Sequence, residues 1–184
     1  MLIIGVEKGI LVGAGASLLL FIWRTSRPHT AVVGRIGKSD HYRNELRYHV
    51  QTWPEVLAIR VDQSLYFANT KYLEDTVLDM IADRPAVKYV ILIGTAVNFI
   101  DASALETLES LLAELQSADV ELHLAAIKGP VLDELTKIGF VEEIGVGRIH
   151  FSTHDAMIAL GFVDAADRET TCLSPGEAAK AAQK

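Results

Sequence analysis

Asp101 and Ser103 stand two residues apart at the head of an apolar-periodic run, and chemistry is easiest to place there. From Leu105 the apolar residues recur at helical spacing (Leu105, Leu108, Leu111, Leu112, Leu115), with Glu106, Glu109 and Glu114 facing away. Asp101 sits where an N-cap belongs, able to accept a backbone N–H of the first turn. Ser103 then falls inside a helix end whose dipole favours negative charge, so a phosphate of about −1.5 to −2 charge would be tolerated there. That is switch chemistry rather than catalysis, since Ser103 has no nucleophile-elbow context and no base nearby in sequence. The plainer alternative stays open: serine is simply a good first-turn residue.

The other polar groups give less. Asp62, Asn69, Asn98 and Asp101 fall at the ends of expected strands, where α/β sheets bind small ligands or partners. His150 and His154 are four apart but straddle a strand-to-helix junction without a third ligand, and read as surface or cap histidines. Gly145-x-Gly147 lacks a third glycine and precedes a strand, unlike a dinucleotide loop, and no G-x-x-x-x-G-K-[ST] loop exists. No catalytic residue, metal ligand or cofactor is assigned.

The elements that would hold these residues are legible in order. Val56 to Val61 alternates as a strand, and Leu65 to Ala68 reads as a second one closing a hairpin. Asn69-Thr70 caps a helix with the stripe Leu73, Val77, Met80 and Ile81, stopped before Pro85. Val87 to Ile93 is a β-branched run expected of a strand covered on both faces. Val120 to Ala126 alternates, Gly129-Pro130 opens a helix ended by Gly139, and Ser152-x-x-Asp155 resembles a capping box for a helix to Leu160. Strands alternating with helices predict an α/β fold with a mixed, mostly parallel sheet after an initial antiparallel pair.

Residues 1–24 differ in kind. Met1 to Trp23 is apolar except for Glu7 and Lys8, and 23 helical residues cover roughly 34 Å, enough for a bilayer core. Arg24 and Arg27 follow, placing that end in the cytoplasm. A signal peptide is disfavoured, because no basic region precedes the apolar run. Gly5, Gly9, Gly13 and Ser17 form a small-residue stripe that would let another helix approach. Residues 25–54 carry Pro28, Gly34, Gly37 and Pro54, and read as a basic juxtamembrane linker with a short extended piece at Ala31 to Val33. Residues 55–162 form the globular unit, and 163–184 read as a flexible tail. The formal net charge of −7 argues against nucleic-acid binding, and the single Cys172 forms no internal disulfide.

NFIDASALETLESL resembles the core motif of STAS domains, and FIWRTSRPH, VVGRIGKSDHYRN and WPEVLAIRVDQSLYFAN resemble the junction of sulfate permease (SulP) family proteins. The resemblance implies a STAS-like fold preceded by the last helix of a membrane bundle. It implies the C-terminal portion of a secondary anion transporter (sulfate, bicarbonate or dicarboxylate) in the inner or plasma membrane, with the STAS domain cytoplasmic and serving assembly and regulation. Its partners would be the membrane, the remaining membrane domain, a second copy, and a regulatory protein at the Asp101–Ser103 edge. Two alternatives stay open: an anti-sigma-factor antagonist-like protein switched by phosphorylation of Ser103, and a single-pass membrane STAS protein.

Overall fold

The β-branched run ending at Ile93 becomes an interior strand of a six-stranded sheet. The computed structural model describes residues 5–166. In chain order the elements are α1 (Val6–Thr25), β1 (Thr30–Arg35), β2 (Tyr42–Asn44), β3 (Val56–Val61), α2 (Thr70–Ala82), β4 (Tyr89–Ile93) and α3 (Ala102–Ser117). Then come β5 (Glu121–Ala125), α4 (Gly129–Lys137), α5 (Phe140–Ile144), β6 (Ile149–His150) and α6 (Thr153–Ala159). The strand order is β2-β1-β3-β4-β5-β6. β1 pairs antiparallel with β2 and β3, while β3, β4, β5 and β6 run parallel. The expected mixed, mostly parallel sheet is what forms.

Strand alternation sorts the core onto two faces. Leu57, Ile59, Val90, Leu92, Leu122 and Leu124 face the cluster covered by α2, α3, α4 and α5. Ala58, Ile91, Ile93 and Ala125 face the smaller cluster, closed by Ala156, Met157 and Val163. The α3 stripe is buried at each of the five leucines its spacing marked.

Three expectations fail locally. The stretch 25–54, read as linker without a sustained period, supplies β1 and β2. Buried Arg35 hides the strand: its Nε and Nη2 donate to Ser39 O and Lys38 O at 2.6 and 2.8 Å, so a charged residue occupies an interior position. The initial antiparallel pair is therefore β1 with β3, not Val56–Val61 with Leu65–Ala68. Leu65 forms only an isolated parallel bridge to Ile100, and Tyr66 to Asn69 is a turn closed by the Asn69 side chain. A short helix, α5, also follows Gly139 where none was expected.

α1 touches almost nothing. Its span Lys8–Thr25 is apolar all round and none of it is buried, and Gly5, Gly9 and Gly13 have open space around them. Ser17 is exposed on the same helix. Of the expected tail, Val163 packs under the sheet, and residues 167–184, with Cys172, lie outside the described residues.

Candidate functional site

At the C-terminal ends of β3 and β4 two loops lock together. Leu65 N donates to Phe99 O and Asp101 N to Leu65 O, both at 3.3 Å. Asp101 completes the lock. Its Oδ1 accepts from Ala104 N at 2.9 Å, the expected N-cap, and its Oδ2 accepts from Phe67 N at 2.9 Å in the facing loop. One carboxylate thus satisfies donors on two elements, which explains why an acid rather than a hydroxyl stands there.

Asn98 joins the same edge: its backbone N–H reaches Ser64 Oγ at 3.1 Å, and its Oδ1 accepts from Lys128 Nζ at 2.6 Å. Asn69 is fully buried beneath. Its Oδ1 accepts from Tyr66 N at 3.0 Å and its Nδ2 donates to Ser64 O at 2.9 Å, so its side chain shapes the turn and does not cap α2. Ser103 lies exposed in the first turn of α3. Asn69, Asn98, Asp101 and Ser103 therefore share one edge.

Asp62 is engaged elsewhere. It accepts from Arg60 Nε at 2.6 Å and is paired with His29 Nδ1 at 2.8 Å, at the junction where the chain leaves α1 for β1. Partial burial pushes its carboxyl up, but the hydrogen bonds from Arg60 and His29 outweigh that and hold it below the ordinary carboxylate value. The carboxylates of Asp62 and Asp101 are thus satisfied internally, and neither is placed as a general acid or base.

Sequence reasoning missed two features. Tyr66 meets Phe67 edge-on and stacks on Phe99, with ring centroids at 5.8 and 6.3 Å, and its hydroxyl reaches Thr25 O at 3.4 Å. The signal was present as aromatic residues beside the loop polar groups. His123 and His150 form the second, sharing a hydrogen bond at 3.0 Å across β5 and β6. His154 is buried, 3.5 Å from Tyr42 Oη, while His150 is half-buried, so the reading of surface or cap histidines is corrected for His154. Among the described residues no group of three or more His, Cys, Asp and Glu is arranged to hold a metal. On the smaller-cluster face, a cavity of about 360 Å³ is lined by Tyr42, Trp53, Ala58 and Met157, with the Arg84–Glu45 ion pair among its walls.

The sequence pattern of the STAS domain matches residues 47–156. The chain belongs to the STAS domain family. It is 31% identical over 180 residues to Sulfate transporter 1.1 of Arabidopsis thaliana, a match spanning 92% of this chain and 28% of that transporter. Murine Solute Carrier 26 family member A9, an anion transporter in the inward-facing state, superposes with a TM-score of 0.71 at 25% identity. That likeness covers 83% of this chain and 25% of the transporter. The STAS domain of a Vibrio cholerae SulP transporter shares the fold (TM-score 0.51, 17% identity), covering 63% of this chain and 88% of that domain. The chain spans about a quarter of the length of the curated relatives it matches, lying over their C-terminal part. The resemblance drawn from the D-A-S and junction motifs is thereby borne out. The curated relatives that match the chain in this way are named as sulfate transporters.

Proposed function

We propose that this chain is the C-terminal portion of a SulP-type secondary anion transporter. In this reading α1 is the last helix of the membrane bundle, its Gly5, Gly9, Gly13 and Ser17 stripe lies toward neighbouring helices, and the STAS domain on the cytoplasmic side serves assembly and regulation. Sulfate, bicarbonate or a dicarboxylate is the cargo, and its ligands lie in membrane helices outside this chain. The observation that carries this is α1 itself: its span Lys8–Thr25 has no buried residue and no polar face, and four residues (26–29) join it to the first strand of a STAS domain. A core helix of a water-soluble domain would bury one face.

Membrane partition and flux test this. The full chain is expected to stay with membranes through an alkaline carbonate wash, with the domain cut by protease only from the cytoplasmic side. Recovery of the chain as a monodisperse species in detergent-free buffer would remove the membrane reading. The reading frame 5′ of the Met1 codon is expected to add further apolar spans, and its disruption to abolish labelled sulfate, bicarbonate or dicarboxylate uptake. Uptake that is unchanged for every one of these anions would discard the transporter while leaving the anchor.

Regulation in this reading acts at the Asp101–Ser103 edge, where the exposed Ser103 hydroxyl is open to a kinase and a phosphate would meet the positive end of the 16-residue α3. Wild type is expected to take up phosphate from a cell extract that Ser103→Ala does not. Equal incorporation by the two proteins would end that role.

A further inference from the structure

We infer that Phe67 and Phe99 are interfacial lipid anchors, which dip from the tips of the two locked loops into the headgroup layer of the cytoplasmic leaflet. The inference rests on the reading of α1 as a membrane helix. Both rings are more than half exposed, at 68% and 55%, although each contacts Tyr66. With Tyr66 they make one aromatic cluster on the tips of two locked loops, and a contiguous exposed apolar patch marks a contact.

The level of these rings relative to α1 selects the contact. The Tyr66 hydroxyl touches Thr25 O, the last residue of α1, so Tyr66 stands at the height where the helix leaves the bilayer. Trp23, exposed at 67%, lies two residues or about 3 Å along the same helix, and tryptophan and tyrosine at this height form the usual interfacial belt. The headgroup layer is roughly 5–8 Å thick on each side. Rings centred 5.8 and 6.3 Å from that of Tyr66 lie within about one layer thickness of it.

The charges around the patch agree. Arg24 and Arg27 flank the exit of α1, and exposed Lys128 is held beside Phe99 through Asn98. The nearby carboxylates do not oppose an anionic surface strongly: Asp62 is occupied by Arg60 and His29, and Asp101 by two backbone N–H groups. Apolar rings framed by basic side chains fit an anionic lipid surface.

Nitroxide labelling of the full chain in vesicles of phosphatidylcholine and phosphatidylglycerol tests this. In a Cys172→Ser background, single cysteines replace Phe67, Phe99, Leu19 on α1, and Leu46, an exposed residue beyond β2. The labelled residues at 46, 67 and 99 are exposed, so the fold is expected to persist, and a melting curve of each variant checks it. Labels at 67 and 99 are expected to lose collisions with a water-soluble nickel chelate, and to gain collisions with oxygen, relative to position 46. If 67 and 99 match 46 while 19 remains shielded in lipid, the anchoring is overturned and the membrane helix stands. If 67 and 99 are shielded from both reagents, protein covers the patch and the lipid assignment is wrong. If 19 is also open to the chelate, the membrane reading falls with the inference.

Discussion

Alanine in place of Gly34 is expected to destabilise the domain by on the order of 3 kcal/mol, lowering its thermal midpoint by roughly 6–12 °C. A Cβ at this point of β1 would stand 2.6 Å from Gln51 O, 2.7 Å from Val50 Cγ2 and 2.9 Å from Thr52 Cγ2. The nearest of these is backbone, so no side-chain rotation relieves it. The segment 50–52 would have to withdraw, and it is held by Arg35 N donating to Gln51 O at 2.9 Å and Gln51 N donating to Arg35 O at 2.8 Å. Losing that pair at about 1 kcal/mol each accounts for most of the effect. Gly129→Ala is the control, at the first turn of α4 with open space and an ordinary φ. Equal melting of Gly34→Ala and wild type would show that the strap yields freely.

Acid is expected to weaken the domain between pH 6.5 and 4, with His123 as the main cause. This ring is 4% exposed on β5, against Tyr89 of β4 at 6.1 Å and stacked on His150 of β6 at 5.3 Å. Its Nε2 has no hydrogen-bond partner, and Glu121, the nearest carboxylate at 3.7 Å, is itself bound by Arg148 at 3.1 Å. Burial, then the neighbouring His150, lowers the His123 pKa from 6.5 to about 4 against the opposing pull of Glu121. Burial lowers His150 as well.

A histidine kept neutral in the fold binds its proton first in the unfolded chain. The unfolded state therefore holds more protons between the two values, and stability rises with pH across that window. What is present above pH 6.5 is lost progressively as pH falls toward 4, on the order of 3 kcal/mol for His123. Asp62, whose pKa lies below 3.8, is lost only at lower pH and does not blur the window. Denaturant midpoints at pH 7.5 and pH 4.5 should separate widely for wild type and much less for His123→Phe. Matching separations in the two proteins would sink the assignment.

The parts of the fold that sequence exposed are those with an unbroken period. Val90 to Ile93, the five α3 leucines, and alternation in Val56–Val61 and Glu121–Ala125 each follow from one burial rule repeated along an element. β1 and β2 escaped because their burial depends on groups outside the strands, in the next turn and in the segment 50–52. Arg35 enters the interior only when the 36–39 turn offers carbonyls, and Gly34, which resembles a breaker, is needed because residues 50–52 cross it.

The candidate site divides the same way. Asp101 as N-cap is local, three residues from its donor, and was readable. Its second bond, to Phe67 N, spans 34 positions and was not. The His123–His150 contact spans 27 positions and exists only through the parallel register of β5 and β6. Asn69 and Asp62 were expected at a ligand or partner surface, but Asn69 is spent on closing its own turn and Asp62 on Arg60 and the distant His29.

The position of β1 between β2 and β3 has a mechanical consequence. Only residues 26–29 separate this strand from α1, so a displacement of the helix reaches the sheet with little slack. A pull along β1 loads first its half paired with β3 and then its half paired with β2, and the ladder bonds of each lie across the pull and shear instead of peeling in turn. The helix and the sheet are thereby coupled as a stiff lever rather than as a tethered weight.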